Sequence, residues 1–176
     1  MKLLADQKYD ATTENLFAFA GENLPKSDLK LLAKAYLLGS IVRNGDMHAK
    51  NFSVMVDLDG NSHITPVYDM INTEIYGFDD VLALKLANNN RPKASEIATF
   101  LSQYLSPDEI AGMGQDVKNR LSDILDYVFR QDTAATAQKF KKRLEQSISG
   151  GATRMIQAAE QLLPRPLKDL KEVKSR

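Results

Sequence analysis

Apolar residues recur at three- and four-residue steps along both ends of the chain and fall into short β-branched runs only in its middle. Leu29, Leu32, Ala33, Tyr36, Leu37 and Ser40 make one such stripe, with Ser27 as its expected cap and Asn44-Gly45 beyond its end. That spacing gathers the apolar side chains on one face of a helix of about four turns, buried, with Gly45 taking the left-handed stop. Ile97, Phe100, Leu101 and Tyr104 form a second stripe, and Ser106-Pro107-Asp108-Glu109 has the cap, proline and acidic residues of another helix start. Val117, Leu121, Ile124, Leu125 and Val128 form a third, and Ala137, Phe140 and Leu144 run into Gly150-Gly151. Met155, Ile156, Ala159, Leu162 and Leu163 predict a last helix, stopped by Pro164. These Met and aromatic stripes read as core rather than as cofactor contacts.

In the middle, Phe52-Ser53-Val54-Met55-Val56 and His63-Ile64-Thr65 flank Asp57-Leu58-Asp59-Gly60-Asn61, which predicts a β-hairpin. A calcium loop starting at Asp57 would need an acidic ligand at its twelfth position, and that position is Tyr68. The DxDGN string therefore reads as the turn. No repeat or linker interrupts the chain, so a single domain is expected over residues 1–163, followed by a polar basic tail over 164–176. The expected fold class is mainly α (α+β), helical with one small hairpin.

Composition narrows the function classes. The chain has 176 residues, 43% hydrophobic and 26% charged, which fits a soluble globular protein and excludes collagen-like or disordered chains. Twenty-three Lys and Arg balance 23 Asp and Glu, so no whole-chain field draws it to nucleic acid or acidic lipid, and neither is expected as a direct partner. The absence of cysteine excludes a disulfide framework, a thiol nucleophile and every Cys-ligated metal site, and the two histidines exclude a His-rich one. Asp6, Lys8 and Asp10 occupy the stretch where a signal peptide needs an apolar core, and no run approaches the ~18 apolar residues of a membrane span. A cytoplasmic location is expected. Charge is uneven: Lys26, Lys30, Lys34, Arg43 and Lys50 face only Asp28 and Asp46 in residues 26–50. Residues 51–80 then hold Asp57, Asp59, Asp69, Glu74, Asp79 and Asp80 without a cation. Such a run is either solvated turns or carboxylates gathered around a divalent ion, and motif spacing has to decide.

The specific chemistry lies in Asn44-Gly45-Asp46-Met47-His48-Ala49-Lys50-Asn51, then the hairpin, then Val67-Tyr68-Asp69. Asp46 and Asn51 stand five apart between a helix and a strand, the Asp-to-Asn spacing of a kinase catalytic loop, and Asp69 follows the hairpin where that fold places its second metal-binding Asp. Phosphoryl transfer needs a carboxylate off the metal to accept the hydroxyl proton, and an oxygen ligand plus a carboxylate on the metal that neutralises the triphosphate. Asp46, Asn51 and Asp69 supply those types. His48 and Lys50 add donors suited to phosphate oxygens, although His48 could instead order the loop, and Asp46 alone would read as a cap or Asx-turn residue.

NGDMHAKNFSVMVDLDGN followed by ITPVYDMI resembles the signature of the HipA family of bacterial serine/threonine kinases, the toxins of HipA/HipB-type toxin and antitoxin pairs. The match is strong over residues 36–72 and compatible over the helices beyond. The resemblance implies that Asp46 is the catalytic base, that His48, Ala49, Lys50 and Asn51 line the ATP phosphates, that Tyr68 and Asp69 close the nucleotide site, and that Asn51 and Asp69 hold magnesium. It further implies the helical C-lobe of a protein-kinase-like fold, ATP and Mg as cofactors, and a protein substrate of the kind that includes aminoacyl-tRNA synthetases. A helix-turn-helix antitoxin that binds DNA is the implied partner.

A kinase of this type also uses an N-lobe with a phosphate-covering loop and a strand lysine. The residues before Asn44 read as helix, and Lys30 and Lys34 lie on a helical stripe, so the chain reads as the C-lobe alone: a gene fragment, one half of a split kinase whose N-lobe is a separate chain, or a remnant that kept its catalytic loop. Two other readings stay open: a non-catalytic antitoxin- or substrate-binding module left from a truncated or split kinase, and a small-molecule phosphotransferase of the aminoglycoside or choline type. The HAKNFS continuation argues against the latter.

Overall fold

The computed structural model describes residues 10–77 and 81–163. Among these the chain forms five α-helices and one two-stranded antiparallel sheet, so the mainly helical class with one small hairpin is the observed one. The tail over 164–176, the Pro164 stop, Asp6, Lys8, Asp79 and Asp80 lie outside the described residues.

Helix α1 (Thr13–Asn23) starts at Thr12, whose side-chain oxygen accepts the Asn15 N–H at 3.2 Å. Helix α2 (Lys26–Ile41) buries eight of its residues and forms the centre of the core. It follows Pro25 rather than the expected cap Ser27, whose hydroxyl donates to Asp28 instead. Leu32, Tyr36, Leu37 and Ile41 are fully buried, each contributing about 1.5–3 kcal/mol of apolar transfer. The Phe17 ring of α1 meets Tyr36, Phe100 and Tyr104 at centroid distances of 6.1, 5.0 and 4.7 Å. Thr13 donates to the Tyr36 hydroxyl at 3.2 Å, and burial pushes that phenol up to about 12.

The end of α2 corrects the expectation for Gly45. Arg43, not Gly45, adopts the left-handed conformation, with φ 63°. Gly45 is needed for its size: a Cβ there would come within 2.7 Å of both Thr73 Oγ1 and the Val81 carbonyl.

Helix α3 (Ala94–Leu101) buries Ile97 and Leu101. Helix α4 (Pro107–Val128) starts as expected, with Ser106 accepting the Glu109 N–H at 3.2 Å while Glu109 accepts the Ser106 N–H at 3.0 Å. Helix α5 (Ala135–Glu160) runs straight through Gly150-Gly151, where the sequence predicts a break. The reason is packing: a Cβ on Gly151 would lie 2.1 Å from the Ile41 carbonyl oxygen, so the glycine lets α5 touch the end of α2. Asp126 pairs with Lys141 near the connection, and Gly114 backs onto Ile156 farther along, which makes α4 and α5 antiparallel. Ile124 and Val128, expected in the core, are 55% and 63% exposed on the outer side of α4.

Strands β1 (Val54–Val56) and β2 (Ser62–Ile64) pair antiparallel, Val54 with Ile64 and Val56 with Ser62, a shorter hairpin than predicted. Its turn is organised by Asp57, which accepts N–H groups from Asp59 and Asn61, with Gly60 at φ 86°.

Candidate functional site

Asp46 sits between two pinned residues. The Ala83 N–H donates to the Gly45 carbonyl at 2.9 Å and the Leu84 N–H to the Met47 carbonyl at 3.1 Å, while Thr13 N–H ties Lys85 to the start of α1 at 2.8 Å. Met47 is buried behind them. The irregular segment over residues 82–86 thus backs the loop, and the half-buried Asp46 lines a cleft of about 760 Å³ with Asp10, Ile71, Thr73, Ala83 and Lys85.

The next residues fold into a single 3-10 turn, Ala49–Asn51. The His48 N–H donates to Asn51 Oδ1 at 2.8 Å, and Asn51 Nδ2 donates to Asp69 Oδ2 at 2.9 Å. Asn51 is buried and Asp69 exposed, so the pair lies at the surface of the loop with its carboxylate outward. Asp69 adopts φ 55°, a left-handed conformation that Asp tolerates better than most residues and that is common where side chains are aimed for function. Asn44 Nδ2 holds the Asp69 carbonyl at 3.2 Å. Tyr68 donates to the Lys50 carbonyl, and its hydroxyl lies 2.7 Å from Ser53 Oγ, which ties the segment after the hairpin to the one before it.

The sequence-selected residues are therefore brought together unevenly. Asn51 and Asp69 touch, and His48 and Tyr68 hold the segments on either side of them. Ala49 is a core residue. With Lys50 it borders a separate groove of about 620 Å³, lined also by Leu16, Phe19, Phe52 and Val54. Asp46 lines the 760 Å³ cleft instead.

Several residues that brace the site escaped the sequence reading. Thr73 Oγ1 accepts the Gly45 N–H at 2.8 Å and donates to the Arg43 carbonyl at 3.1 Å. Asn72 Nδ2 donates to the Val42 carbonyl and to Ser147 of α5, both at 2.8 Å. Arg43 makes a forked pair with Glu74 at 3.1 and 3.4 Å, and Ser147 donates to the same carboxylate at 2.5 Å. Partial burial pushes the Glu74 carboxyl up, but the Ser147 hydroxyl and the Arg43 guanidinium outweigh it and leave the group below its ordinary value. No local spacing announces these partners, which come from three distant segments. Only the Asn44 side chain had a visible signal, since it begins the quoted motif.

Asn51 Oδ1 and the Asp69 carboxylate are hard oxygen ligands, and few, on side chains that touch through the Asn51 nitrogen; such a partial site suits magnesium that keeps its waters and takes the rest of its shell from phosphates. Among the described residues no group of three or more His, Asp or Glu could hold a metal by itself, and no helix is long and apolar enough to cross a membrane.

A mainly helical domain with one loop, hairpin and loop unit carrying Asp46, Asn51 and Asp69 is the class that fold and site define. The family model of the HipA-like C-terminal domain matches residues 1–131, and the chain belongs to that family. The HipA family is associated with kinase activity. Comparison with curated proteins gives no match.

Proposed function

We propose that this domain is the C-lobe of an ATP-dependent serine/threonine protein kinase of the HipA toxin type. The observation that carries the reading is the contact between Asn51 and Asp69, two residues 18 positions apart whose side chains meet, Asn51 Nδ2 donating to Asp69 Oδ2 at 2.9 Å, in a unit that also presents Asp46. Asp46 accepts the proton of the substrate hydroxyl, held in place by the backbone bonds on Gly45 and Met47. Asn51 and Asp69 would hold magnesium, which would supply charge neutralisation on the triphosphate. Lys50 supplies a point charge toward the phosphates, and His48 and Tyr68 keep the loop in shape. The substrate is a protein, with an aminoacyl-tRNA synthetase as the type to try first, and a helix-turn-helix antitoxin is the regulatory partner.

In this reading the phosphate-covering loop and strand lysine are supplied by an N-lobe, whether on the same polypeptide or on another. The exposed Val54, Met55, Val56 and Leu58 of the hairpin, 43% to 106% accessible, give that lobe an apolar surface to cover. Labelling with radioactive ATP tests the proposal. The purified chain alone should transfer phosphate barely or not at all, an N-lobe supplied in trans should raise transfer, and Asp69→Asn should remove the gain. Equal labelling by Asp69→Asn would eliminate the magnesium assignment and with it the reading.

A further inference from the structure

We infer that Asp28 and His63 are positioning residues for the Asn51–Asp69 pair: they clamp the intervening hairpin onto the first turn of α2, and the clamp tightens when the His63 ring is protonated. The functional meaning rests on the magnesium reading of that pair, but the device itself does not. Asn51 and Asp69 flank the hairpin and bond each other directly, so a shift of the hairpin against α2 is felt at both ends of that bond. All three residues of β1 are exposed, and the polar attachment of the hairpin to the helical body is through β2. There Asp28, only 6% exposed, accepts the Ile64 N–H on Oδ1 at 2.8 Å. Its Oδ2 faces the Ser27 hydroxyl at 3.3 Å and His63 Nδ1 at 3.5 Å. The other ring nitrogen, Nε2, lies 3.3 Å from Oδ2 of Asp57, the carboxylate that organises the hairpin turn.

One imidazole therefore spans a buried carboxylate on the helix and a carboxylate on the hairpin. A neutral ring carries a single N–H, so one of these two contacts sets a lone pair against a carboxylate; a protonated ring donates to both. Charge-assisted bonds of this kind prefer about 2.7–2.9 Å, so the observed separations leave room to tighten. Among the described residues, Asp28 and Asp57 are the charged groups facing the ring, and Lys30 of the same helix pairs instead with Glu109 at 2.6 Å. The Ile64 N–H holds the Asp28 carboxyl below its ordinary value, and the Asn61 side chain does the same for Asp57. Both are thus anionic across the range in which imidazoles titrate, between about pH 5 and 8.

The test is NMR of the full 176-residue chain without nucleotide. Between a low and a high pH chosen from the His63 ring signals themselves, the Ile64 amide, corrected for base-catalysed exchange, should exchange about tenfold faster at the higher, the loss expected for one charge-assisted bond. The Asn51 side-chain amide resonance should move with the same midpoint as the His63 ring, which a purely local clamp would not produce. In His63→Gln both dependences should vanish; any that survives belongs to His48, whose N–H touches Asn51, and would overturn the inference. A stationary Asn51 resonance through the His63 titration would overturn it equally. Asp28→Asn should leave Ile64 poorly protected at both pH values, and full protection in that variant would remove Asp28 from the clamp. Because no ATP is used, these outcomes are separate from failure of the kinase reading, which the labelling experiment decides.

Discussion

The helical body and the loop and hairpin unit of residues 44–73 are held by different physics. In the body, α2 buries Leu32, Tyr36, Leu37 and Ile41 against α1, α3, α4 and α5, and helix approach is set by glycines such as Gly151 and Gly114. In the unit, few apolar side chains are buried and order comes from single polar atoms: Asn44 on Asp69, Thr73 on Gly45, Asn51 on Asp69, Asp28 on Ile64. Packing resists deformation in every direction, whereas a hydrogen bond specifies one distance and one angle. A rigid body thus carries a surface unit whose groups are aimed individually, and damage to each should read differently.

Asp46→Asn should give the largest effect and confine it to function. Under the proposed function Asp46 is the general base, whose loss typically removes about 10²- to 10⁴-fold of rate, so transfer supported by an N-lobe in trans should fall by about three orders of magnitude. Asp46 contributes to the half-buried wall of a cleft, and an isosteric amide there should change unfolding free energy by less than about 0.5 kcal/mol. Labelling and urea unfolding on the same preparation check both halves. A variant that loses stability and activity together would erase the distinction between the two regions.

Gly151→Ala should do the reverse. The added Cβ meets backbone, not a flexible side chain, so α2 and α5 must separate, and a loss of about 3 kcal/mol is expected in urea unfolding. Asn72 and Glu74 both bond Ser147 on α5, so this substitution should also broaden the resonances of residues 72–74. Unchanged stability would mean that the helices are not in the contact described.

Glu74→Gln probes the seam between the regions, because Glu74 joins Arg43 at the start of the loop to Ser147 on α5. Its carboxyl is held below the ordinary value in the fold, so its contribution is present above the unfolded pKa and disappears as pH falls through the folded one. The side chain is 40% exposed, and solvent screening limits the expected loss at pH 7 to about 1 kcal/mol. Unfolding of parent and variant should converge toward pH 3. A difference that persists there would assign the effect to packing.

The body was more legible in the sequence than the seam. Ser106 and Glu109 announce a helix start because capping is local, three residues apart. Asp46, Asn51 and Asp69 were selected together because their spacing matches a chemical requirement; of the three, Asn51 and Asp69 touch and Asp46 lines a cleft of its own. Gly45 and Gly151 misled for one physical reason: glycine permits a left-handed turn and also a close approach, and only the neighbour across space says which is in use. Residues 82–86 gave no signal, since they brace Gly45 and Met47 through backbone atoms that every sequence possesses.

That silent segment supplies the smallest and sharpest test. Its outer end turns at Ala87 and Asn88, with φ 48° and 59°, and Leu86 and Asn89 exchange backbone bonds at 2.8 and 3.0 Å across it. Two successive positive φ values define the tight turn in which Asn and Gly are favoured. Asn88 suits its place, but Ala87 carries a Cβ where the left-handed conformation costs roughly 1–2 kcal/mol. Glycine removes that strain while adding chain entropy to the unfolded state, so Ala87→Gly should stabilise the protein by about 0.5–1 kcal/mol net. The gain should appear in urea unfolding with no change in transfer rate, because the bonds from Ala83 and Leu84 to the Asp46 loop are already formed in the parent. If Ala87→Gly instead raised the rate, the brace would be loose in the parent chain, and the loop that carries Asp46 would have to be regarded as tuned from its far side.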